Sequence, residues 1–323
     1  MDARKLRYFV TIAELGGFSE AARRLHVAQP ALSRHVRDLE AELGVTLLVR
    51  EPRGVRLTPQ GERLHRQAID LLERLDALPS LVAAPDGPIE GRVVVGLPTS
   101  ASAVLAGPLM RRAFERLPGV RVHLIESLSG YLQEWIEAGR VDVAVLYSTP
   151  SSPSVRVQPL LVEDMWLVGR RDALVGSAGE VPLADLGRLR FVVPGRSHSH
   201  RRLVEGAAAV HGVTLDVIGE VDSLPALKTL VEDGRTFTIL PHSAIHGELA
   251  AGRLAAARIV SPSISRTVSV ATARARADGR ACAALAALLV DTARTLVRER
   301  IWAGRPVTPT DARTTGWLDG PAA

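Results

Sequence analysis

Apolar positions in the first eighty residues recur at helical spacing. Leu6, Phe9, Val10 and Ala13 stand at i, i+3, i+4 and i+7, one face of a helix. Gly16 and Gly17 stop it, because glycine readily takes the backbone conformations that helix ends need. Ser19 is placed to cap a second helix, whose inner face is Ala21, Ala22 and Leu25. His26 and Val27 make a turn, with Val27 plugging the core. Pro30 suits the first turn of a third helix, where its missing N–H costs nothing. Leu32, Val36, Leu39 and Leu43 then follow at i, i+4, i+7 and i+11.

The period then changes. Residues 45–49 are apolar and β-prone, 51–54 read as a turn, and 55–57 return as a second strand, a small hairpin. Thr58-Pro59 reads as an N-cap with proline at N1. Leu64, Ala68, Leu71, Leu72, Leu75 and Leu78 stripe the helix that follows, which is expected to end near Pro79. Strands and helices alternate beyond residue 90. Strands are predicted at 92–97, 120–125 and 141–146, and helices at 103–117 and 130–138. This βαβαβ order implies a parallel sheet with helices on both faces. A second series has strands at 189–193, 215–221 and 237–240, with helices at 201–211 and 224–232. Runs at 160–168 and 267–273 read as strands crossing between two α/β subdomains, and a helix over 281–300 returns to the first. The predicted class is α/β overall, behind a mainly helical N-terminal part.

Composition adds bounds. A chain of 323 residues suits two or three domains. No run of about 18 apolar residues occurs, and residues 6–13 are too short for a signal-peptide core, so neither a membrane span nor secretion is expected. A single cysteine, Cys282, excludes an internal disulfide and fits a reducing cytoplasm. Among residues 1–66, 12 Lys and Arg face 8 Asp and Glu, so most of the chain's net charge of +5 lies there. That excess suits attraction to phosphate.

Two helices and a tight turn over residues 18–37 are the layout of a helix-turn-helix, which sets its second helix in the DNA major groove. The face opposite Leu32 and Val36 carries Gln29, Ser33, Arg34 and Arg37. Gln and Arg make two-point hydrogen bonds to adenine and guanine edges, and Ser suits a base or a phosphate. The same residues also read as the solvated face of a small helical bundle. Arg50, Arg53 and Arg56 on the hairpin favour the DNA reading, being placed for phosphates or a minor groove.

These segments resemble the LysR-type transcriptional regulators. The runs that carry the resemblance are 6–9 (Leu-Arg-Tyr-Phe), 18–22 (Phe-Ser-Glu-Ala-Ala), 29–33 (Gln-Pro-Ala-Leu-Ser), Leu39-Glu40 and 53–61 (Arg-Gly-Val-Arg-Leu-Thr-Pro-Gln-Gly). The resemblance implies a winged helix-turn-helix domain over 1–60, with the motif at 18–37. It implies a linker and dimerisation helix over 58–84. Residues 90–303 are then an effector-binding domain of periplasmic-binding-protein type, with subdomain I at about 90–163 and 267–303 and subdomain II at about 164–266. Runs at 139–147, 159–164 and 219–223 look close to the branch containing the nitrogen assimilation control protein. Thr236 departs from the family, which often has a second glycine there. The 304–323 tail matches nothing and is expected to be disordered.

The expected DNA contacts are Ser19, Gln29, Pro30, Ser33, Arg34, Arg37, Arg50, Arg53 and Thr58. Gln29, Ser33 and Arg34 read bases; Arg37, Arg50, Arg53 and Thr58 hold the backbone. In open α/β sheets ligands bind beyond the C-terminal strand ends, near helix N-termini. That rule selects four loops and the effector-binding set Thr99, Ser100, Ser102, Leu128, Ser129, Arg196, Ser197, His198 and Ser223. Arg196 or Arg201, with hydroxyls and N–H groups, suits a small anion such as a carboxylate.

No catalytic motif stands out. Residues 195–199 lack the last glycine of a G-x-S-x-G elbow, no G-x-G-x-x-G follows the first strand, and His198 and His200 have no partner ligand set. The expectation is a cytoplasmic non-enzyme without cofactor. Its partners are double-stranded DNA, a small-molecule effector, RNA polymerase indirectly, and further copies of itself as homodimer or homotetramer. A solute-binding module, or an enzyme with an appended DNA-binding domain, stays open as an alternative.

Overall fold

The computed structural model describes residues 1–51, 54–83, 87–147, 152–173, 179–277 and 279–308. The chain forms two compact units, Met1–Gly87 and Pro88–Ala323. Arg53 and residues 309–323 lie outside the described residues, as does the side chain of Arg50. The first part of the 304–323 tail, expected to be disordered, is instead tied down, Arg305 pairing with Val162.

The first unit holds α1 (Ala3–Leu15), α2 (Phe18–Leu25), α3 (Gln29–Leu43), the hairpin β1 (Leu48–Glu51) and β2 (Gly54–Leu57), and α4 (Pro59–Ala83). Its core gathers Leu6, Phe9, Ile12, Leu32, Val36, Leu39 and Leu47. Ile12 is fully enclosed and Ala13 only half-buried, so the inner face of α1 is rotated from the one expected. Leu43 is likewise exposed. The hairpin starts later than the apolar run at 45–49. Leu47 turns into the core while its N–H and that of Leu48 donate to Glu40 Oε1, at 2.7 and 3.2 Å. The helix expected to end near Pro79 continues to Ala83.

The second unit opens with β3 (Gly91–Pro98), α5 (Thr99–Arg116), β4 (Val120–Ser127), α6 (Ser129–Glu137) and β5 (Val143–Leu146). β3 pairs in parallel with both β4 and β5, as the βαβαβ order predicts. Helix α5 begins at Thr99, four residues before the expected start, with Pro98 in extended conformation ahead of it. The long β6 (Val155–Gly169) then leaves this sheet. After it come β7 (Glu180–Pro182), β8 (Arg190–Val193), α7 (Ser199–Val210), β9 (Asp216–Glu220), α8 (Leu224–Glu232), β10 (Thr238–Pro241) and α9 (His246–Ala250). The chain continues through β11 (Ala255–Val260), β12 (Ser265–Ala273), α10 (Arg274–Ala277) and α11 (Arg280–Arg298).

Two main cores divide at the middle of β6. One joins Val95, Leu97, Leu105, Leu109, Leu161 and Val268 to Leu285, Leu289 and Trp302. The other joins Met165, Leu167, Leu183, Phe191, Val204, Ile239 and Ile259. β12 runs antiparallel to β6 from Val155 to Asp164, while β10 and β11 flank its far half. Helix α11 packs back on α5, as expected of a returning helix. Asp142 is buried behind the first sheet. Its Oδ2 accepts Val94 N at 2.7 Å, and its Oδ1 lies 3.3 Å from Arg276 Nε. Among the described residues, no helix is long and apolar enough to cross a membrane.

Candidate functional site

On the first unit, α3 turns Leu32, Val36 and Leu39 inward. That leaves Gln29, Pro30, Arg34 and Arg37 exposed and Ser33 half-buried on the other side. Pro30 stands in the first turn, as its missing N–H requires. Arg37 Nε donates to Ser33 O at 3.3 Å, along the same face. Ser19 is exposed near the start of α2 but does not cap it. Gly17 takes the N-cap position, and the helix starts two residues earlier than a Ser19 cap requires. Thr58 does cap α4: its hydroxyl accepts Gly61 N at 3.0 Å and donates to Thr46 O at 2.7 Å. Those bonds engage its hydroxyl with the protein's own backbone. Arg50 sits on β1 with its backbone opposite Val55.

On the second unit, the strand ends of both subdomains face one cavity of about 50 Å³. A single water needs roughly 10–15 Å³ by this measure, so the space matches a small molecule of a few heavy atoms. Thr99, Ser100, Leu128, Ser129 and His198 line it, five of the nine residues expected. Ser102, Arg196, Ser197 and Ser223 do not. Ser102 is half-buried on the first turn of α5, next to the enclosed Ala101. Arg196 is exposed and pairs with Glu205 at 3.6 Å. Ser197 points to solvent, and Ser223 caps α8 by accepting Ala226 N at 3.4 Å. Arg201 is also absent from the lining, because its guanidinium is buried against Pro194 O and Glu205.

The cation at the cavity is Arg266, on β12. It lies over the ring of Tyr147, 3.3 Å from its centroid, and donates from Nη2 to Ser100 Oγ at 3.0 Å. Tyr147 and Ser100 share a 2.6 Å hydrogen bond. Burial pushes the Tyr147 hydroxyl up to about 12, partly opposed by Arg266, so it stays protonated. Behind Arg266, the buried Glu163 accepts its Nε and Nη2 at 2.8 and 2.6 Å.

Three helices begin at the cavity. The residues before α5, α6 and α7 are Pro98, Leu128 and His198, and none makes a side-chain cap bond. Across the cavity, Asp222 Oδ1 accepts Gly195 N at 2.8 Å and lies 3.2 Å from His198 Nε2. His200 is half-buried, but its Nε2 is enclosed and has no hydrogen-bond partner. Burial drives its pKa down to about 3, with Arg266 and His198 adding repulsion, so the ring is neutral. Tyr147, His200, Asp222 and Arg266 are among the cavity residues that the expected set omits. Cys282 is buried, and burial lifts its thiol to about 12, which fits an inert core residue. Among the described residues, no group of three or more His, Cys, Asp or Glu is placed to hold a metal.

Comparison with known proteins completes the picture. Residues 3–62 match the bacterial regulatory helix-turn-helix proteins of the lysR family, and residues 86–294 match the LysR substrate binding domain. The nitrogen assimilation regulatory protein nac of Klebsiella aerogenes is 34% identical over 271 residues, 84% of this chain and 88% of that protein. The Escherichia coli protein of the same name is 31% identical, covering 94% of this chain and 99% of its own. A full-length OxyR variant from Pseudomonas aeruginosa superposes with a TM-score of 0.70 at 26% identity, over 91% of this chain and 95% of that one. CbnR complexed with its target DNA gives 0.64, also at 26% identity, over 91% and 99%. The chain therefore belongs to the LysR family, as a DNA-binding transcriptional regulator with a helix-turn-helix domain ahead of a substrate-binding domain.

Proposed function

We propose that this regulator senses a small carboxylate, or an anion of similar size, in the cavity between its subdomains, and that occupancy changes its action on DNA. The observation that carries this reading is the meeting of three uncapped helix starts, at Thr99, Ser129 and Ser199, with Arg266 and a set of hydroxyls. Free N–H groups and the positive end of the helix dipole favour negative charge. An effector that touches both subdomains favours their closed arrangement by its differential affinity.

On DNA, Gln29, Ser33 and Arg34 read base edges, while Arg37, Arg50 and Arg53 contact phosphates. Two chains join through α4, where Leu71, Leu75 and Leu78 are exposed. Their recognition helices read the half-sites of an interrupted inverted repeat. Pairing of the sensing units gives a tetramer, and the DNA bend it imposes alters polymerase recruitment. The protein works in the cytoplasm and catalyses no reaction.

Selection from random DNA tests the first part. Wild type recovers an inverted repeat, and Arg34→Ala costs about 1–3 kcal/mol and relaxes one base position. Binding that weakens equally on all sequences makes Arg34 a phosphate contact instead. Thermal-shift titration with acetate and acetamide tests the second. Acetate raises the melting temperature and acetamide does not; equal effects overturn the anion reading.

A further inference from the structure

Glu163 lies where β6 passes between the two cores, and it is 1% exposed. Its oxygens divide four donors from three parts of the unit. Oε1 accepts Arg266 Nε and Nη2. Oε2 accepts Trp302 Nε1 at 2.8 Å and Ser243 Oγ at 3.0 Å. Ser243 belongs to the turn after β10, in the second core's half. Trp302 belongs to the segment after α11.

That segment is clipped in place. Val162 and Arg305 exchange both backbone hydrogen bonds at 2.9 Å, so 305 continues the sheet beside Glu163. A Cβ on Gly304 would come within 2.9 Å of Leu161 Cδ1 and 3.2 Å of Val162 O. Trp302 is fully buried in the first core. On the other side of the carboxylate, Arg266 reaches the cavity wall with Ser100 and Tyr147. A guanidinium that loses a buried, hydrogen-bonded carboxylate must rotate or draw in water.

We propose that Glu163 and Trp302 are positioning residues of the effector cavity. Glu163 fixes the guanidinium of Arg266 against the wall, and Trp302 fixes Glu163. The segment 301–305 thereby sets how the cavity presents its arginine to a ligand. This rests on the reading of the cavity as the effector site, but the orientation of Arg266 is measurable without any ligand.

The test is the rate of phenylglyoxal modification of Arg266 in the full-length protein, read by peptide mass spectrometry. Arg201 serves as reference, being buried elsewhere and outside this network. Trp302→Phe keeps an aromatic ring, smaller than the indole, and removes the N–H donor. It speeds modification of Arg266 by about tenfold, the scale of one hydrogen bond to a charged group, and leaves Arg201 unchanged. Glu163→Gln has a larger effect, and the double variant reacts no faster than Glu163→Gln alone. Acetate affinity falls with the same order of variants. Equal modification rates in wild type and Trp302→Phe overturn the proposal, as do effects of the two substitutions that multiply. A rise at Arg201 alongside Arg266 reports general loosening and also overturns it. Should Glu163→Gln fail to fold, Trp302→Phe alone decides. Wild type that ignores acetate while Trp302→Phe frees Arg266 refutes the carboxylate reading and leaves the positioning role standing.

Discussion

The main-chain N–H of Val55 donates to the carbonyl of Gly16 over 2.9 Å, tying the hairpin to the turn between α1 and α2. The approach is close because Gly54, beside it, has no side chain. Its φ of 138° lies where L side chains are strained, and a Cβ there would collide with Gly16 O. Gly54→Ala is expected to destabilise the first unit by about 1–3 kcal/mol, from backbone strain and a displaced hairpin. Denaturant melts monitored alongside DNA affinity check this. An unchanged midpoint means that the hairpin swings free of Gly16 at no cost.

The exposed leucines of α4 give a second prediction. Leu71, Leu75 and Leu78 recur on one side of the helix at 44%, 38% and 50% exposure, with Leu72 turned into the core. Leu71→Glu with Leu75→Glu is expected to yield monomers in sedimentation equilibrium while the second unit melts as before. Affinity for a two-half-site operator then drops by about 100-fold, because each half-site binds alone. A dimer that survives both charges places the interface elsewhere.

Asp142 offers a test of stability. It holds Val94 N and faces Arg276 from beneath the first sheet, at 4% exposure. Asp142→Ala leaves the buried Val94 N–H without its acceptor and takes away the carboxylate that faces Arg276. The expected loss is about 3 kcal/mol of unfolding free energy in the second unit. Urea titration of the second unit's transition measures it, and a loss under 1 kcal/mol sinks the account.

Acid weakens the cavity through His200. Its folded pKa of about 3 lies below the unfolded value near 6.5, so below that pH the unfolded chain takes up a proton that the folded chain refuses. The contribution to stability is constant above pH 6.5 and shrinks as pH falls toward 3. At pH 5 the loss is about 2 kcal/mol. His200→Gln removes it. The melting temperatures of wild type and His200→Gln, compared at pH 7 and pH 5, are expected to converge or cross on acidification. Parallel curves exclude a buried neutral imidazole.

Much of this architecture was readable from residue patterns, because both units are built from elements whose apolar spacing matches their burial. The span of α8, Leu224–Glu232, coincides with the helix expected from its spacing. The cavity's hydroxyls at Thr99, Ser100 and Ser129 follow from strand-end topology. Arg266 and Glu163 escape that rule because they sit on the crossing strands and not in strand-end loops. A signal was present: Glu163 interrupts the apolar run at 160–168, and Arg266 directly precedes the one at 267–273. Opposite charges at the same point of two strands that cross together mark a buried pair. Arg196 misled for the complementary reason. Its loop has the right address, but a long exposed side chain follows its nearest carboxylate, Glu205.

The continuity of β6 has a mechanical consequence. Fifteen residues run without a break from one core into the other, with a register slip opposite Val268 and Ser269 that leaves Leu160 unpaired. The halves are thus joined by a ribbon of paired backbone, not by loose tethers. Any rotation of one half against the other must twist that ribbon. The two cores should also melt as a single calorimetric peak, with a van't Hoff enthalpy matching the measured one, since neither half can unravel without stripping the spine of the other.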